Sequence, residues 1–216
     1  MARTKIHFDE KRQSLLNEIW SILIQYGYDK TTIAVMIQEL NISRGAFYHY
    51  FQSKEDCANM AIEAHIDSAA ALLLKGDNRK ENAVVRFKTA FKCCAEYFWI
   101  ELKETIFLNQ PENTVFHQKL MIAITKQLAP VYAGIVEDGI KSGVFHTAYP
   151  LETAEMTIAL ACFYLDANLF QWEAGCQRMT KVKALEELAN RALGTKNYIS
   201  FFDFYFEAQA QHKENL

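Results

Sequence analysis

A short polar stretch near the N-terminus carries side chains whose types and spacing suit contacts with nucleic acid. Ser43 and Arg44 begin a segment with helical apolar spacing, where a hydroxyl and a guanidinium could reach base edges in the major groove. Gly45 follows, and its missing side chain lets the backbone approach the groove closely. Tyr48 and His49 come one helical turn later, so that a phenol hydroxyl and an imidazole would meet phosphate oxygens on the groove wall.

Lys54 adds a further anion-binding position a few residues downstream. Ser53 has the residue type of a helix N-cap, and Asp56 stands three residues later, where a capping box places its acidic member. Lys54 therefore takes the first helical position, where its ammonium and the helix dipole both favour an anion. Contacts of this kind fix the register of a protein on DNA without reading the sequence of bases.

The chain around these residues predicts two short helices joined by a tight turn. Thr31 or Thr32 supplies a hydroxyl N-cap before a segment with apolar residues at three- and four-residue spacing. Asn41 tolerates the left-handed backbone of a turn, and Ser43 caps a second helix from Arg44 to Tyr50. Two helices joined in this way form a helix-turn-helix. The inward-facing residues are Ile33, Met36, Ile37 and Leu40 in the first helix and Ala46, Phe47 and Phe51 in the second.

Three runs in this region resemble the TetR-type transcriptional regulators: GYDKTTI from Gly27, SRGAFYHYF from Ser43 and SKE from Ser53. The resemblance implies an all-helical dimer whose three N-terminal helices bind a near-palindromic operator and whose larger C-terminal domain binds a small effector. It also implies phosphate contacts at Thr32, Tyr48, His49 and Lys54, and groove-facing positions at Ser43, Arg44 and Ala46.

The sequence departs from the family pattern at two positions of the motif. Ile37 stands where the family usually has a small Ala, which changes the packing between the two helices. Asn41 stands where the family usually has a turn Gly, and Asn can adopt the same backbone conformation. A weaker family match follows the motif much later, in the glycine-containing turn between Gly139 and Ala154.

The charge of the chain is less typical of a DNA-binding protein. The net charge is -3, and residues 1–56 contain seven Lys or Arg against seven Asp or Glu. Phosphate neutralisation normally calls for a local excess of basic residues. Arg3 and Lys5 are predicted to lie on a flexible N-terminal arm. We therefore expect modest non-specific affinity for DNA.

Composition favours an all-α fold, and about nine to ten helices are expected along the chain. Half of the 216 residues are hydrophobic, and only 8 Gly and 3 Pro are present, which suits long helices better than turn-rich sheets. The polar segment 75–82 marks a boundary between domains. The expected domains are a DNA-binding domain of residues 1–56 and an effector-binding and dimerisation domain of residues 78–216, linked by a helix over residues 53–74.

Other classes of protein find little support in the sequence. No glycine-rich phosphate loop, HExxH motif or nucleophile elbow occurs, so enzyme activity is not expected. The five cysteines have no CxxC spacing, which argues against disulfides and a metal site, and no cofactor is expected. The absence of a signal peptide or a long apolar run predicts a soluble cytoplasmic protein without a membrane partner.

The C-terminal half supplies two sets of candidates. Residues 151–174 are apolar on several faces and residues 181–208 end in a dense aromatic run, so both are predicted to form most of a four-helix dimer interface. The interface candidates are Met156, Leu160, Phe163, Phe170, Leu185, Leu188, Phe202 and Phe206. An apolar effector pocket with a few polar groups is predicted in the region of Phe91, Cys94, Tyr97, Phe98, Phe107, Phe116, Tyr132, Phe163, Tyr164 and Asn168.

These observations predict a homodimeric repressor that binds a palindromic operator and is released by a small apolar or aromatic effector. Two alternatives remain open. The same helical scaffold could serve an interaction protein whose partner is not operator DNA, or the regulator could activate transcription.

Overall fold

The computed structural model describes residues 2–103, 113–166, 170 and 176–205, and no strand occurs among them. The fold class is all-α, as the composition predicted. The helices are α1 (Ala2–Tyr26), α2 (Ile33–Glu39), α3 (Arg44–Tyr50), α4 (Lys54–Gly76), α5 (Ala83–Lys103), α6 (Thr114–Lys141), α7 (Pro150–Ala159), a π-helical turn (Leu160–Tyr164) and α8 (Cys176–Leu193).

Packing divides the chain into two compact units. The first consists of the described residues within Met1–Ser68 and Glu101–Ala123, and the second of those within Ala69–Ile100 and Ile124–Leu216. The first unit thus takes in more of α4 than the predicted N-terminal domain, together with the beginning of α6. The predicted domain limits, 1–56 and 78–216, stay a prediction.

The core of the first unit is built from apolar residues on one face of each helix. Leu15, Ile19 and Leu23 of α1 are buried together with Met36 of α2 and Phe47 of α3. This face recurs every three or four residues, as helical periodicity requires. The long helix α1 and the two short helices of the motif, α2 and α3, are thereby held in fixed orientations.

The start of α6 belongs to this first unit and packs against α1 and the residues that follow it. The backbone N–H of Tyr28 donates to Asn113 Oδ1 at 2.8 Å. Gly27 follows the end of α1 with φ 80°, a backbone conformation that favours glycine. A Cβ at this position would also lie only 2.9 Å from Asn113 Nδ2, so the available space requires glycine as well. Phe116 packs on Tyr28 and Trp20, with ring centroids 5.9 and 6.0 Å apart.

An aromatic cluster forms the core of the second unit. Phe87 of α5 lies 5.7 Å from Tyr132 and 5.2 Å from Phe201 between ring centroids. Phe91, one turn along α5, lies 4.6 Å from Tyr132 and 5.1 Å from Phe202. Aromatic side chains bury large apolar areas, so this cluster stabilises the unit strongly.

One local expectation was wrong, and Pro130 takes an unusual position. Helix α6 runs from Thr114 to Lys141 with Pro130 inside it, so no new helix starts there. Pro130 is exposed, so the carbonyl that loses its N–H partner can be hydrated. The predicted flexible arm at Arg3 and Lys5 lies within α1, which begins at Ala2.

Helix α6 is long and apolar enough to span a membrane by length and composition. However, half of its most apolar window is buried inside the protein. Leu120, Ile124, Leu128 and Tyr132 recur every four residues and are all buried. This pattern is that of a core helix.

Candidate nucleic-acid interface

Helix α3 separates a packing face from an exposed face within seven residues. Phe47 is fully buried, whereas Arg44, Tyr48 and His49 are exposed and Ala46 is half-buried. Ser43 caps the helix, because its Oγ accepts a hydrogen bond from the N–H of Ala46 at 3.1 Å. The Ser43 hydroxyl proton is not used in that bond and remains available for an acceptor on DNA.

The exposed face of α3 is partly preorganised. The guanidinium carbon of Arg44 lies 5.7 Å from the ring centroid of Tyr48, a cation–π contact that orients the Arg side chain. Gly45 is exposed beside it, and a Cβ there would meet only Ser43 Oγ, at 3.9 Å. The face of α3 therefore presents a donor-rich, open surface at its N-terminal end.

The turn before α3 has the geometry that a helix-turn-helix needs. Asn41 has φ 48°, the left-handed conformation that the sequence predicted for it. The N–H of Asn41 donates to Gln38 O at 3.1 Å, and the N–H of Ile42 donates to Ile37 O at 3.2 Å. These bonds close α2 before α3 begins.

The structure also decides which threonine caps α2. Thr32 Oγ1 accepts from the N–H of Val35 at 3.2 Å, so Thr32 is the N-cap and stays exposed. Thr31 is buried instead, and its hydroxyl donates to Gly27 O at 2.6 Å. The Thr32 side chain is therefore the one that can reach a phosphate.

Helix α4 begins with the predicted capping arrangement. Ser53 Oγ accepts from the N–H of Asp56 at 3.0 Å, and Asp56 Oδ2 accepts from the N–H of Gln52 at 2.9 Å. Lys54 follows the cap, with its Nζ 4.2 Å from the ring centroid of Tyr28 and 3.4 Å from Asp29 O. Burial lowers the pKa of Lys54, while Asp29 opposes that shift.

Phe8 is a contact of this surface that the sequence did not single out. Its ring lies 5.2 Å from the His49 ring, edge to face, and stacks on Tyr50 at 4.9 Å. The guanidinium of Arg12 lies 5.5 Å above the same Phe8 ring. Phe8 and Arg12 are one helical turn apart on α1. An aromatic–basic pair at i and i+4 is therefore the sequence feature that could have identified this contact.

A cavity of about 410 Å³ opens in the second unit, among the end of α4, the following loop, α5 and α6. This volume lies within the range of small-molecule sites. Its lining residues are Leu72, Leu73, Gly76, Asp77, Asn78, Glu81, Val85, Arg86, Thr89, Ala90, Cys93, Glu96, Tyr97, Val131 and Ile135.

Tyr97 is the one predicted pocket residue among those that line this cavity. Six lining residues of α5 were missed, and three of them, Val85, Thr89 and Cys93, precede Tyr97 at four-residue intervals. This spacing places the four residues on one face of α5. The sequence-based prediction lay on the more apolar face that includes Phe91, and that face packs into the core.

Two of the predicted pocket residues lie in the core instead, and a third lies beside them. Phe91 and Tyr132 are buried against each other, and Cys94, which is half-buried, lies beside Tyr132. Burial raises the pKa of the Cys94 thiol to about 12, and it also raises the pKa of Tyr132 well above its usual value. A thiol with so high a pKa is a poor nucleophile, so Cys94 is best explained as a packing residue.

The remaining pocket candidates are dispersed. Phe98 packs edge to face on Tyr97 at 5.2 Å, and Phe163 is exposed. Tyr164 has the ammonium of Lys181 5.3 Å from its ring centroid. Phe116 belongs to the first unit, as described above, and is therefore removed from the predicted pocket. Phe107 and Asn168 lie outside the described residues.

The predicted dimer interface divides in a similar way. Met156, Phe163, Phe170 and Leu188 are 39–54 % exposed, and Leu160 is half-buried. Leu185 and Phe202 are only 3 % and 4 % exposed within the protomer. We therefore remove these two from the interface, since apolar side chains used inside one chain cannot also bind a second. Phe206 lies outside the described residues.

The fold and the α3 surface define a helical protein with an N-terminal helix-turn-helix. Comparison with known proteins agrees. The model of bacterial regulatory proteins of the tetR family matches residues 15–60, and the model of the tetracyclin repressor-like C-terminal domain matches residues 101–188. The chain belongs to the TetR family of DNA-binding transcriptional regulators.

Individual relatives are distant. YhgD of Bacillus subtilis, an uncharacterized HTH-type transcriptional regulator, is 23 % identical over 171 residues, which cover 76 % of this chain and 85 % of YhgD. Among solved structures, a TetR-family regulator from Pectobacterium atrosepticum has a TM-score of 0.64 at 20 % identity and covers 87 % of this chain and 96 % of its own. RolR in complex with resorcinol has a TM-score of 0.63 at 16 % identity, covering 89 % and 91 %. At these identities the solved structures show a shared fold.

Proposed function

We propose that this regulator is a cytoplasmic, ligand-responsive repressor that binds a palindromic operator as a homodimer and is released by a small effector. The observation that carries the proposal is the exposed face of α3. Ser43, Arg44 and Tyr48 point away from the buried Phe47, and Thr32 and Lys54 stand on the adjoining helix starts. Donors at these positions serve base edges and phosphates together.

In this proposal, each protomer inserts α3 into one major groove. Arg44 reads a guanine, and Thr32, Tyr48, His49 and Lys54 contact phosphates on either side of it. Two half-sites one helical turn apart require the two α3 helices to lie about 34–36 Å apart. A ligand that changes this spacing changes operator affinity. The factor equals the ratio of the ligand's affinities for the DNA-binding conformation and the released conformation.

Dimerisation is supported by exposed apolar side chains in the second unit. Met156 of α7, Phe163 of the π-helical turn and Leu188 of α8 are each about half exposed. Large apolar side chains on an exposed surface are typical of an interface. A second copy of the chain is the partner that the operator symmetry requires.

The division of roles on α3 can be tested with an operator selected from random duplexes by the purified protein. Arg44→Ala should relax the preference at one base pair, costing about 1–3 kcal/mol there. Lys54→Met keeps a side chain of similar length but removes the charge, so it should weaken binding to all duplexes and reduce the salt slope by about one. Fluorescence anisotropy at several salt concentrations measures both effects.

Glu63→Gln provides a matched control, because Glu63 is an exposed residue of α4 outside the proposed contacts. It should leave both the base preference and the salt slope unchanged. If Arg44→Ala and Lys54→Met behave alike, the assignment of base reading to one and phosphate contact to the other is rejected.

One observation favours a second function, in which the same scaffold binds a partner other than operator DNA. Residues 1–56 carry equal numbers of basic and acidic side chains. Binding that is insensitive to salt would support this alternative, because operator binding through several phosphates must weaken steeply as salt rises. A reporter gene behind the selected operator would separate repression from activation.

A further inference from the structure

We infer that Phe8 is a positioning residue of the nucleic-acid interface, whose ring holds the imidazole of His49 in place for a phosphate on DNA. The inference deepens the proposed function and rests on it, since it explains how one of the proposed phosphate contacts is prepared before DNA arrives. It is carried by the ring triad, a cluster of Phe8 from α1 with His49 and Tyr50 from the end of α3.

The ring triad is closed, because every pair of its rings is in contact. The ring centroids of Phe8 and His49 lie 5.2 Å apart, and those of Phe8 and Tyr50 lie 4.9 Å apart. The centroids of His49 and Tyr50 lie 5.0 Å apart. Phe8 meets the imidazole at an interplanar angle of 88° and the phenol ring at 26°. Edge-to-face and stacked arrangements at such distances are attractive for aromatic pairs, so Phe8 binds both rings at once.

Helix α1 fixes the position of Phe8. Phe8 precedes the buried Leu15 by seven residues and the buried Ile19 by eleven, so its side chain continues the packing face of α1 towards the N-terminus. It is half-buried, whereas Ile6 on the same helix is 58 % exposed. A half-buried ring on a helix that is anchored by its core residues makes a rigid support for its neighbours.

His49 is the member of the ring triad that gains most from this support. Its side chain is exposed, and an exposed side chain that becomes ordered on binding loses conformational entropy at that moment. Contact with Phe8, which comes from another helix, restricts the rotamers of His49 beforehand. Aromatic rings are at most weak hydrogen-bond acceptors, so the imidazole nitrogens stay available for a phosphate oxygen.

The rest of α3 is anchored independently of Phe8. Phe47 and Phe51 are buried in the core, and the N–H of Phe51 donates to Phe47 O at 2.9 Å. Ser43 caps the beginning of the helix. Loss of the Phe8 ring should therefore release His49 without unfolding α3.

Arg12 supplies the competing explanation for any effect of Phe8 on DNA binding. Its guanidinium carbon lies 5.5 Å from the centroid of the Phe8 ring, and its Nη2 lies 3.2 Å from Asp9 Oδ1. If Phe8 acted by orienting Arg12, loss of the ring would weaken DNA binding whether or not His49 is present. The two explanations differ in whether the effect of Phe8 depends on His49.

The test is a double-mutant cycle on the full chain, measured by fluorescence anisotropy with the selected operator. Phe8→Leu keeps an apolar side chain but removes the ring, and should weaken binding about threefold for each half-site, hence about tenfold for a homodimer. In the His49→Ala background, the same change should have no further effect. Phe8→Tyr keeps the ring and should restore the affinity of the wild type. Ile6→Ala, at an exposed position of α1 outside the ring triad, is the matched control and should change nothing.

A spectroscopic readout tests the positioning without DNA. An aromatic ring shifts the NMR resonances of protons that are held beside it, and the ring protons of His49 can be assigned by their loss in His49→Ala. These resonances should move towards random-coil positions in Phe8→Leu and keep their positions in Phe8→Tyr. Unchanged His49 resonances in Phe8→Leu would overturn the inference.

The binding measurements can overturn it as well. Equal losses of operator affinity on Phe8→Leu with and without His49 would show that Phe8 acts through packing or through Arg12. A Phe8→Leu variant that binds the operator as tightly as the wild type would show that Phe8 positions nothing on DNA. Both results leave the proposed function standing, because the wild type binds the operator. Absence of operator binding by the wild type contradicts the proposed function instead, and the phosphate contact of His49 falls with it.

Discussion

The two candidate sites of this regulator are built in opposite ways. The α3 surface is made by residues close together in the chain, from Thr32 to Lys54, held by caps that bond three or four residues away. The cavity of the second unit draws on three helices and on residues from Leu72 to Ile135. One site is a product of local chain geometry and the other of tertiary packing.

This difference has a physical consequence for how each site tolerates change. On α3 the residues proposed to contact DNA are exposed and the residues that hold the helix are buried, so recognition and stability are expected to reside on different side chains. In the cavity, Arg86 serves both as a wall and as a buried ion-pair partner. Function and stability are therefore expected to separate cleanly in the first site and to be coupled in the second.

The largest effect that tests this separation is expected on α3 itself. Phe47→Ala removes a fully buried ring that packs on Phe51 at 5.4 Å, and should cost about 3–5 kcal/mol of unfolding free energy. Tyr48→Ala removes an exposed neighbour and should change stability by no more than about 0.5 kcal/mol, while operator affinity falls. Urea unfolding and anisotropy measure the two quantities.

Phe47→Leu is the conservative control, because it keeps most of the buried volume and should recover much of the lost stability. A Tyr48→Ala variant that unfolds as readily as Phe47→Ala would break the comparison, since recognition and packing would then share the same side chains.

A smaller effect is expected at the wall of the cavity. Arg86→Met leaves Asp77, which is 10 % exposed, with only the exposed Arg79 guanidinium 3.9 Å away, and should lower the unfolding free energy by about 3 kcal/mol. Arg86→Met/Asp77→Leu removes the stranded charge as well and should restore most of that loss. If the single variant is as stable as the wild type, Arg86 is not the buried partner that the distances indicate.

Most of the α3 surface could be predicted from the sequence, because its determinants are local. Cap residues and a turn residue act within four positions, so Ser43, Ser53 and Asn41 were each found from type and spacing. The left-handed φ of Asn41 confirms that part of the prediction. Thr31 and Thr32 could not be separated, since only packing decides which hydroxyl is buried.

The cavity could not be predicted, because helical periodicity shows that a face is apolar without showing what covers it. Phe91 and Tyr132 look equally suited to a pocket and to a core, and tertiary contacts placed them in the core. Phe116 joins the first unit through contacts with residues more than 80 positions away in sequence. Phe202 was assigned to the dimer interface from an aromatic run that packs inside the protomer.

The first unit also contains a group that should make its stability depend on pH. His65 of α4 stacks on Trp20 of α1, with ring centroids 3.9 Å apart, and burial lowers its pKa from 6.5 to about 4. Between these values the unfolded chain binds more protons than the folded one, so stability falls as the pH is lowered from 6.5 towards 4. With partial exposure taken into account, the loss should be about 2 kcal/mol.

His65→Phe keeps an aromatic ring against Trp20 and removes the titrating group. The difference in unfolding free energy between wild type and variant should be nearly constant above pH 6.5 and should shift in favour of the variant as the pH falls to 4. Comparing the two proteins at each pH cancels the carboxylates, which titrate in both. Parallel profiles over this range would show that the pKa of His65 is the same in the folded and the unfolded state, and would contradict the lowered value. The predicted divergence would place an acid-sensitive contact in the first unit, on the helix that begins at Lys54.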